Sequence, residues 1–202
     1  MDWHNPKSVE TKIRRLTREI TAIDKAFYLT NKTGDRVLYA GMLERKRDDM
    51  VRGAVLQLHT AIEDVLNSLI ICRVLDVRPQ ERKRKAGTKR ARALHKVLYG
   101  AESYGFDVKL NLAMALNLIS GNERGKLSEL NTLRNKCSHN WLLKLPVRRG
   151  RRPKQKKPPL LLFRGQDLHR VAILREFTGE YGQVHYRLFG RLYVGVPIKN
   201  LI

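Results

Sequence analysis

An apolar rhythm in the second quarter of the chain constrains the fold more than any other feature. Val51, Val55, Leu58, Ile62, Val65, Leu69 and Cys72 recur at steps of three and four. That alternation is the period of a helix with one buried stripe. The helical region extends back towards Asp35, either almost unbroken or with a break near Gly41, and forward to Leu75, with Pro79 ending it. Cys72 continues the stripe, so packing is its expected role. His59 and Glu63 stand four apart beside the stripe, and by themselves read as a helix-surface pair worth a few tenths of a kcal/mol.

The same reading extends to the rest of the chain. Asn5-Pro6 opens an earlier helix, with Asn as cap and Pro at the first helical position. Ile13, Leu16, Ile20, Ile23 and Phe27 form its buried stripe, and Lys12, Arg14, Arg15 and Arg18 its solvated face. Residues 30–35 contain Gly34 and read as a turn. Thr88 is placed to cap a helix carrying Ala91, Leu94, Val97 and Leu98, with His95 as a surface or packing residue. Residues 106–119 form a further helix with Val108, Leu112, Ala115, Leu116 and Ile119 apolar, and Ser120-Gly121-Asn122 a turn. The next helix buries Leu127, Leu130 and Leu133.

Beyond residue 140 the character changes. The apolar run 141–145 and the run 160–163 flank a basic loop rich in Gly and Pro, which suggests a long β-hairpin. A helix tail followed by an extended arm fits the same residues. Leu174, Phe177, Tyr181, Val184, Leu188 and Leu192 then make a helical stripe that Asp167 could cap. Gly179 and Gly182 favour a competing pair of strands, but the rhythm persists past both glycines. Tyr181 and Tyr186 could stack on bases, although aromatics on an apolar stripe are more often core. His169 and His185 have no partner visible in the sequence.

Charge bears on partners. Forty-one Lys and Arg stand against nineteen Asp and Glu, a formal net of +22. Such a chain draws polyanions and speeds encounter with them. Seven of the eleven residues 82–92 are basic, among them Arg82, Lys83, Arg84, Lys85, Lys89 and Arg90. Seven of the ten residues 148–157 are basic: Arg148, Arg149, Arg151, Arg152, Lys154, Lys156 and Lys157. Both runs are candidate phosphate contacts whose affinity would fall with salt. The bland reading is that they are solvated, solubilising loops. RNA is the expected partner and DNA is not excluded. A membrane surface fits less well, because the charge sits in loops rather than on one amphipathic helix.

The remaining composition excludes several classes. Cys72 and Cys137 lie on different helical segments without metal-ligand spacing, and read as reduced thiols. The first residues carry no basic-then-apolar leader pattern, and no apolar run approaches the ~18 residues that span a bilayer. The chain is therefore expected to be soluble and cytoplasmic. No Walker loop, GxGxxG, zinc-finger spacing or Gly-x-Ser-x-Gly is present. No cofactor and no metal is implied.

The stretch 130–141, LNTLRNKCSHNW, carries the chemistry. Arg134 offers a planar fork of donors that suits phosphate oxygens. His139 can exchange a proton near neutral pH. Asn135 both donates and accepts hydrogen bonds. On a helix Asn135 and His139 share a face, while Arg134 and His139 lie roughly 140° apart. Arg134 and His139 meet at one ligand only if the arginine curls round or the helix ends near His139. Leu130 and Leu133 would face the core, with Arg134 and Asn135 looking into a cleft.

Together with the helical pattern of residues about 50–143, this Arg-Asn-x-x-x-His element resembles the HEPN family (higher eukaryotes and prokaryotes nucleotide-binding). The resemblance implies a metal-independent endoribonuclease, usually working as a dimer, although many members are inactive binding modules. Stretch 59–66, HTAIEDVL, is similar to a second family helix that often presents an acidic residue to the motif. That places Glu63 across from Arg134 and His139, orienting one of them. His139 would act as general base on the ribose 2′-hydroxyl, Arg134 would stabilise the charge that develops on phosphorus, and Asn135 would hold the phosphate or orient His139. A dimer mate's His139 would supply the acid.

The expected architecture is mainly α: a HEPN-like up-and-down helical bundle with a basic β-hairpin or loop insertion and a C-terminal helix. Residues 1–202 form a single domain, with the bundle core at about 8–143, the basic hairpin or loop at 144–165 and the C-terminal helix at 166–195. The competing fold is a helical domain followed by a small β unit from about residue 141. The competing function is a non-catalytic nucleic-acid binder, a regulator or a toxin paired with an antitoxin.

Overall fold

The apolar rhythm forms the longest helix in the protein. In the computed structural model, the described residues are 11–25 except 13, 17, 20 and 24, then 38–78, 88–100, 104–139 and 161–194; at 38–44, 139 and 194 only the backbone is described. Helix α1 comprises the helical positions between 11 and 25. It is followed by α2 (Leu38–Leu75), α3 (Lys89–Tyr99), α4 (Phe106–Ala115) and α5 (Gly121–His139). A minimal hairpin, β1 (Leu162–Phe163) and β2 (Gln166–Asp167), precedes α6 (Val171–Val194). The protein is mainly helical, as expected.

Helix α2 is the axis of the bundle, packing against α3, α4, α5 and α6. It runs through Gly41 without a break. Val51, Val55, Leu58, Ile62, Val65 and Leu69 are all buried. From Arg45 to Leu75 it is long and apolar enough to cross a bilayer, contrary to the expectation that no run approaches this length, but most of that surface is buried inside the bundle. A helix contacted on several sides has to be apolar over most of its circumference.

The chain leaves α2 before Pro79 can end it. Asp76 takes a left-handed φ of 49°. The Val77 amide then donates to the Cys72 carbonyl at 3.0 Å and the Asp76 amide to the Arg73 carbonyl at 3.4 Å. These are the two bonds of a Schellman ending. Helix α4 ends in the same way, four residues earlier than the expected boundary at 119. Asn117 has φ 55°, and the Leu118 amide reaches the Ala113 carbonyl at 2.8 Å. Asp and Asn tolerate this conformation better than most residues.

Thr88 caps α3 as expected, its Oγ1 accepting from the Ala91 amide at 3.2 Å. Ser120 proves to be a cap rather than part of a turn. Its hydroxyl accepts from the Glu123 amide at 3.2 Å while the Glu123 carboxylate accepts from the Ser120 amide at 3.0 Å, a capping box that starts α5.

Side-chain contacts set the helix directions. Phe106 and Lys109 meet His59 and Glu63, so α4 runs parallel to α2. Asn131 meets Asp107 and Arg124 meets Asn111, so α5 returns antiparallel to α4. Arg191 binds Glu123 and Tyr181 binds the Lys126 carbonyl, so α6 is antiparallel to α5.

The C-terminal part differs from expectation in three ways. The run at 162–163 pairs with Gln166–Asp167 through a two-residue turn; residues 141–157, which supplied the other arm and the basic tip of the expected long hairpin, lie outside the described residues. Arg164 and Gly165 at the turn have φ 49° and 76°, the positive pair a tight hairpin requires. Arg164 binds Glu176 at 2.9 Å and Glu180 at 2.6 Å, which offsets its unfavourable backbone. The last helix starts at 171 rather than 166, with Asp167 in a strand and not at the cap. It then continues through Gly179 and Gly182, so the alternative pair of strands is not formed. Finally, the core is not confined to residues before 143. Leu161, Phe163, Leu168 and the whole stripe from Leu174 to Leu192 join the same buried cluster as α2 and α5.

Candidate functional site

Helix α5 positions the motif through its apolar side. Leu127, Leu130, Leu133 and Cys137 are buried at steps of three and four, which fixes the rotation of the helix against α2. Burial pushes the Cys137 thiol up to about 11, so it behaves as a small apolar side chain. Arg134 is left exposed and Asn135 half-buried.

The helix runs unbroken to His139. Positions 135 and 139 therefore lie about 40° apart round the helix, and positions 134 and 139 about 140° apart. The arginine closes part of that gap. Its Nη1 donates to the Asn135 Oδ1 at 3.1 Å, drawing the guanidinium towards the side of the helix on which position 139 lies. The His139 side chain itself lies outside the described residues.

Opposite this helix, α2 presents a polar stripe: Asp48, Arg52, His59 and Glu63, separated by four, seven and four residues. These spacings keep all four within about 60° on the helix circumference. His59 sits at the centre, 4 % exposed, with its ring 4.3 Å from that of Phe106. Its Nδ1 lies 3.7 Å from the Glu63 carboxylate. Its Nε2 is buried and has no hydrogen-bond partner among the described residues. Burial lowers the His59 pKa; Glu63 and Asn131 oppose this, and the charges of Arg134 and Lys109 reinforce it. The ring is accordingly neutral at neutral pH, with Arg134 close enough to act on it electrostatically.

The Glu63 carboxylate is held by the Lys109 ammonium at 2.5 Å, a partner that the sequence does not point to, and Lys109 also donates to the Leu98 carbonyl at 2.8 Å. The physical reason is burial. Lys109 is 2 % exposed, and an ammonium removed from water demands a counter-ion far more strongly than an exposed guanidinium does. Glu63 and Arg134 both act on the His59 ring, with opposite effects on its charge.

Sequence reasoning missed Lys109, Asn131 and the central place of His59. Lys109 carries the clearest signal, the lone charged residue in the stretch VKLNLAMAL. Asn131 is buried and donates to Asp107 at 3.0 Å, tying α5 to α4 directly beside the motif.

The basic segments divide. Lys89 and Arg90 are exposed on the first turn of α3. Cations beside the positive end of a helix destabilise it slightly and make the place attractive to anions. Arg82, Lys83, Arg84 and Lys85 lie outside the described residues, as do Arg148, Arg149, Arg151, Arg152, Lys154, Lys156 and Lys157. A separate cleft of about 600 Å³ opens between α1 and α2, lined by Glu19, Arg45, Asp49 and Gln57 among others. Comparison with known protein families, with curated proteins and with solved structures finds no match for this chain.

Proposed function

We propose that the chain is a metal-independent endoribonuclease of HEPN type that cleaves RNA through the ribose 2′-hydroxyl. The observation that carries this reading is the arrangement on α5. An exposed guanidinium is drawn by Asn135 towards the face that ends in His139, and the adjoining α2 supplies a neutral imidazole and a carboxylate behind it. An RNA strand brings its own nucleophile, so the protein need only move protons and stabilise charge.

In this mechanism His139 takes the proton from the 2′-hydroxyl. The 2′-oxygen attacks phosphorus, Arg134 stabilises the charge on the non-bridging oxygens, and the bond to the 5′-oxygen breaks. The leaving oxygen takes a proton from an acid, which the family resemblance assigns to His139 of a second copy. The products are a 2′,3′-cyclic phosphate and a 5′-hydroxyl. Asn135 holds the guanidinium in place. Glu63, bound to Lys109, keeps His59 oriented and is not itself a reacting group. The exposed Lys89 and Arg90 would contact phosphates away from the scissile bond. RNA in the cytoplasm, a homodimer and an antitoxin partner belong to this same reading.

Single-stranded RNA incubated with the purified chain in EDTA tests it. Cleavage to cyclic-phosphate ends, abolished by His139→Ala with RNA binding retained, is the expected result. Intact RNA in a complex released by salt would replace the enzyme with a non-catalytic binder, the exposed cations of α3 then being its working surface.

A further inference from the structure

The end of α5 is held by a relay that begins in the hairpin before α6. His169 follows the buried Leu168, which anchors the loop in the core. Its amide donates to the Asp167 Oδ1 at 3.0 Å. Its ring lies between two carboxylates, with Nδ1 2.8 Å from Asp167 Oδ1 and Nε2 3.1 Å from Asp48 Oδ1. The other Asp48 oxygen accepts from the Arg52 Nε at 2.8 Å. Arg52 is 4 % exposed, and its Nη1 donates to the Cys137 carbonyl at 3.3 Å. Arg47 donates to the His169 carbonyl, fixing the loop to α2 a second time.

The far end of this relay lies in the motif. The Cys137 carbonyl belongs to the last described turn of α5. Arg52 reaches that carbonyl from α2 and so ties the turn to the relay. His139 is two residues beyond, so whatever fixes this turn also fixes the backbone from which the candidate base projects.

The two carboxylates set the form of the imidazole. A neutral ring has one N–H and one lone pair, so one of its nitrogens would face a carboxylate oxygen with nothing to share. Only the imidazolium makes both contacts hydrogen bonds, and both are then charge-assisted. The hydrogen bond to Asp48, with that to Asp167, raises the His169 pKa against the opposing effect of burial. The charged groups around the ring are Asp48, Arg47 and Arg52 on α2 and Asp167 on β2; Cys137 on α5 lies within the influence of Asp48 and Arg52. The carboxylates bind opposite edges of the ring, so the three side chains do not converge on one point as ligands of a metal ion would.

We propose that His169 is a positioning residue for His139, acting as an imidazolium through Asp48 and Arg52 on the turn of α5 that precedes it. The role in cleavage rests on the nuclease reading; the mechanical coupling does not. Loss of the His169 proton turns one of its two hydrogen bonds into a repulsive contact. Asp48 then shifts, Arg52 loses its brace, and the Cys137 carbonyl loses a fixed donor.

Two measurements on the full chain separate the parts. By NMR, the His169 ring and the Cys137 carbonyl carbon should titrate with one midpoint above the ordinary histidine value, and the carbonyl response should vanish in His169→Gln. Independent titrations, or a carbonyl that ignores His169, would overturn the relay. In single-turnover cleavage, folded His169→Gln should be about 10- to 100-fold slower, as a small misplacement of a reacting group allows, with RNA affinity unchanged. Arg52→Lys should be slowed less than Arg52→Met. A His169→Gln variant as fast as the parent overturns the positioning role even if the titrations are coupled. If the parent chain leaves RNA intact, the nuclease reading fails, and the NMR titration still decides the relay.

Discussion

Replacing Lys109 with methionine preserves the length of the side chain and deletes one positive charge from the interior. Lys109 is 3 % exposed at its side chain and Glu63 is 27 % exposed, with 2.5 Å between ammonium and carboxylate. Removing one partner of a fully buried pair costs about 3–5 kcal/mol, because the other charge is stranded. Water reaches Glu63 in part, which lowers that figure; the Leu98 carbonyl loses its donor, which adds about 1 kcal/mol. The expected loss is therefore about 3 kcal/mol. Urea unfolding of the parent, Lys109→Met, Glu63→Gln and the double variant measures it. The double variant should be more stable than the sum of the singles predicts by at least about 1 kcal/mol, since neither stranded charge remains. The same substitution reports on the site. Lys109 is among the charges that lower the His59 pKa, so His59 should titrate at higher pH in Lys109→Met. Additive single losses, or a Lys109→Met chain within about 0.5 kcal/mol of the parent, a change typical of ordinary surface substitutions, would refute the reasoning.

Three further outcomes follow from the structure. Burial raises the Glu123 pKa, but the bidentate Arg191 and the Ser120 bonds outweigh it and the net shift is downward. Its contribution to stability is thus complete above the ordinary glutamate value, about 4.3, and is lost as pH falls through the lowered one; urea midpoints at acid and neutral pH should differ less in Glu123→Gln than in the parent. The Cys137 thiol, buried and pushed up to about 11, should resist a thiol reagent in the native chain and react on unfolding. If Lys89 and Arg90 touch phosphates, the double substitution to glutamate should weaken RNA binding at low salt and flatten its salt dependence, measured by fluorescence anisotropy, without altering thermal stability.

The apolar faces of α2, α5 and α6 were legible in the sequence because each depends on a local period, and apart from the half-buried Cys72 their stripes are buried at the residues the spacing selects. The face of α4 was not: Val108 and Ala115 are exposed, and Phe106, Lys109, Leu110 and Ala113 are the buried side. Thr88 caps α3 where its position implies. Helix ends were less legible. Asp76 and Asn117 terminate helices through left-handed backbone, a choice that single Asp and Asn residues permit but do not advertise. The site was half legible. Arg134 and Asn135 are where the helical period puts them, but the partners of Glu63 were not readable. Lys109 is 46 residues away in sequence, and only the packing of α4 on α2 makes it the nearest cation. His169 had no partner within its own segment except Asp167, and its second carboxylate is 121 residues distant.

The polar stripe on α2 also bears on why α5 has one register. Apolar contact is nondirectional and roughly proportional to buried area, so Leu127, Leu130, Leu133 and Cys137 would tolerate α5 sliding by a turn along α2 with small changes in burial. Hydrogen bonds do not allow that. Arg52 reaches the Cys137 carbonyl only if the end of α5 stands opposite the start of the stripe, and Asn131 reaches Asp107 only if the middle of α5 stands beside the start of α4. A slip of one turn, about 5.4 Å, would part Arg52 from the Cys137 carbonyl and Asn131 from Asp107. An unpaired buried polar group costs about 1–3 kcal/mol, and a charged one more. The apolar stripe thus gives α5 its adhesion, while Arg52 and Asn131, lying before and after Arg134 and Asn135 in the contact order along α2, determine where those motif residues stand relative to His59.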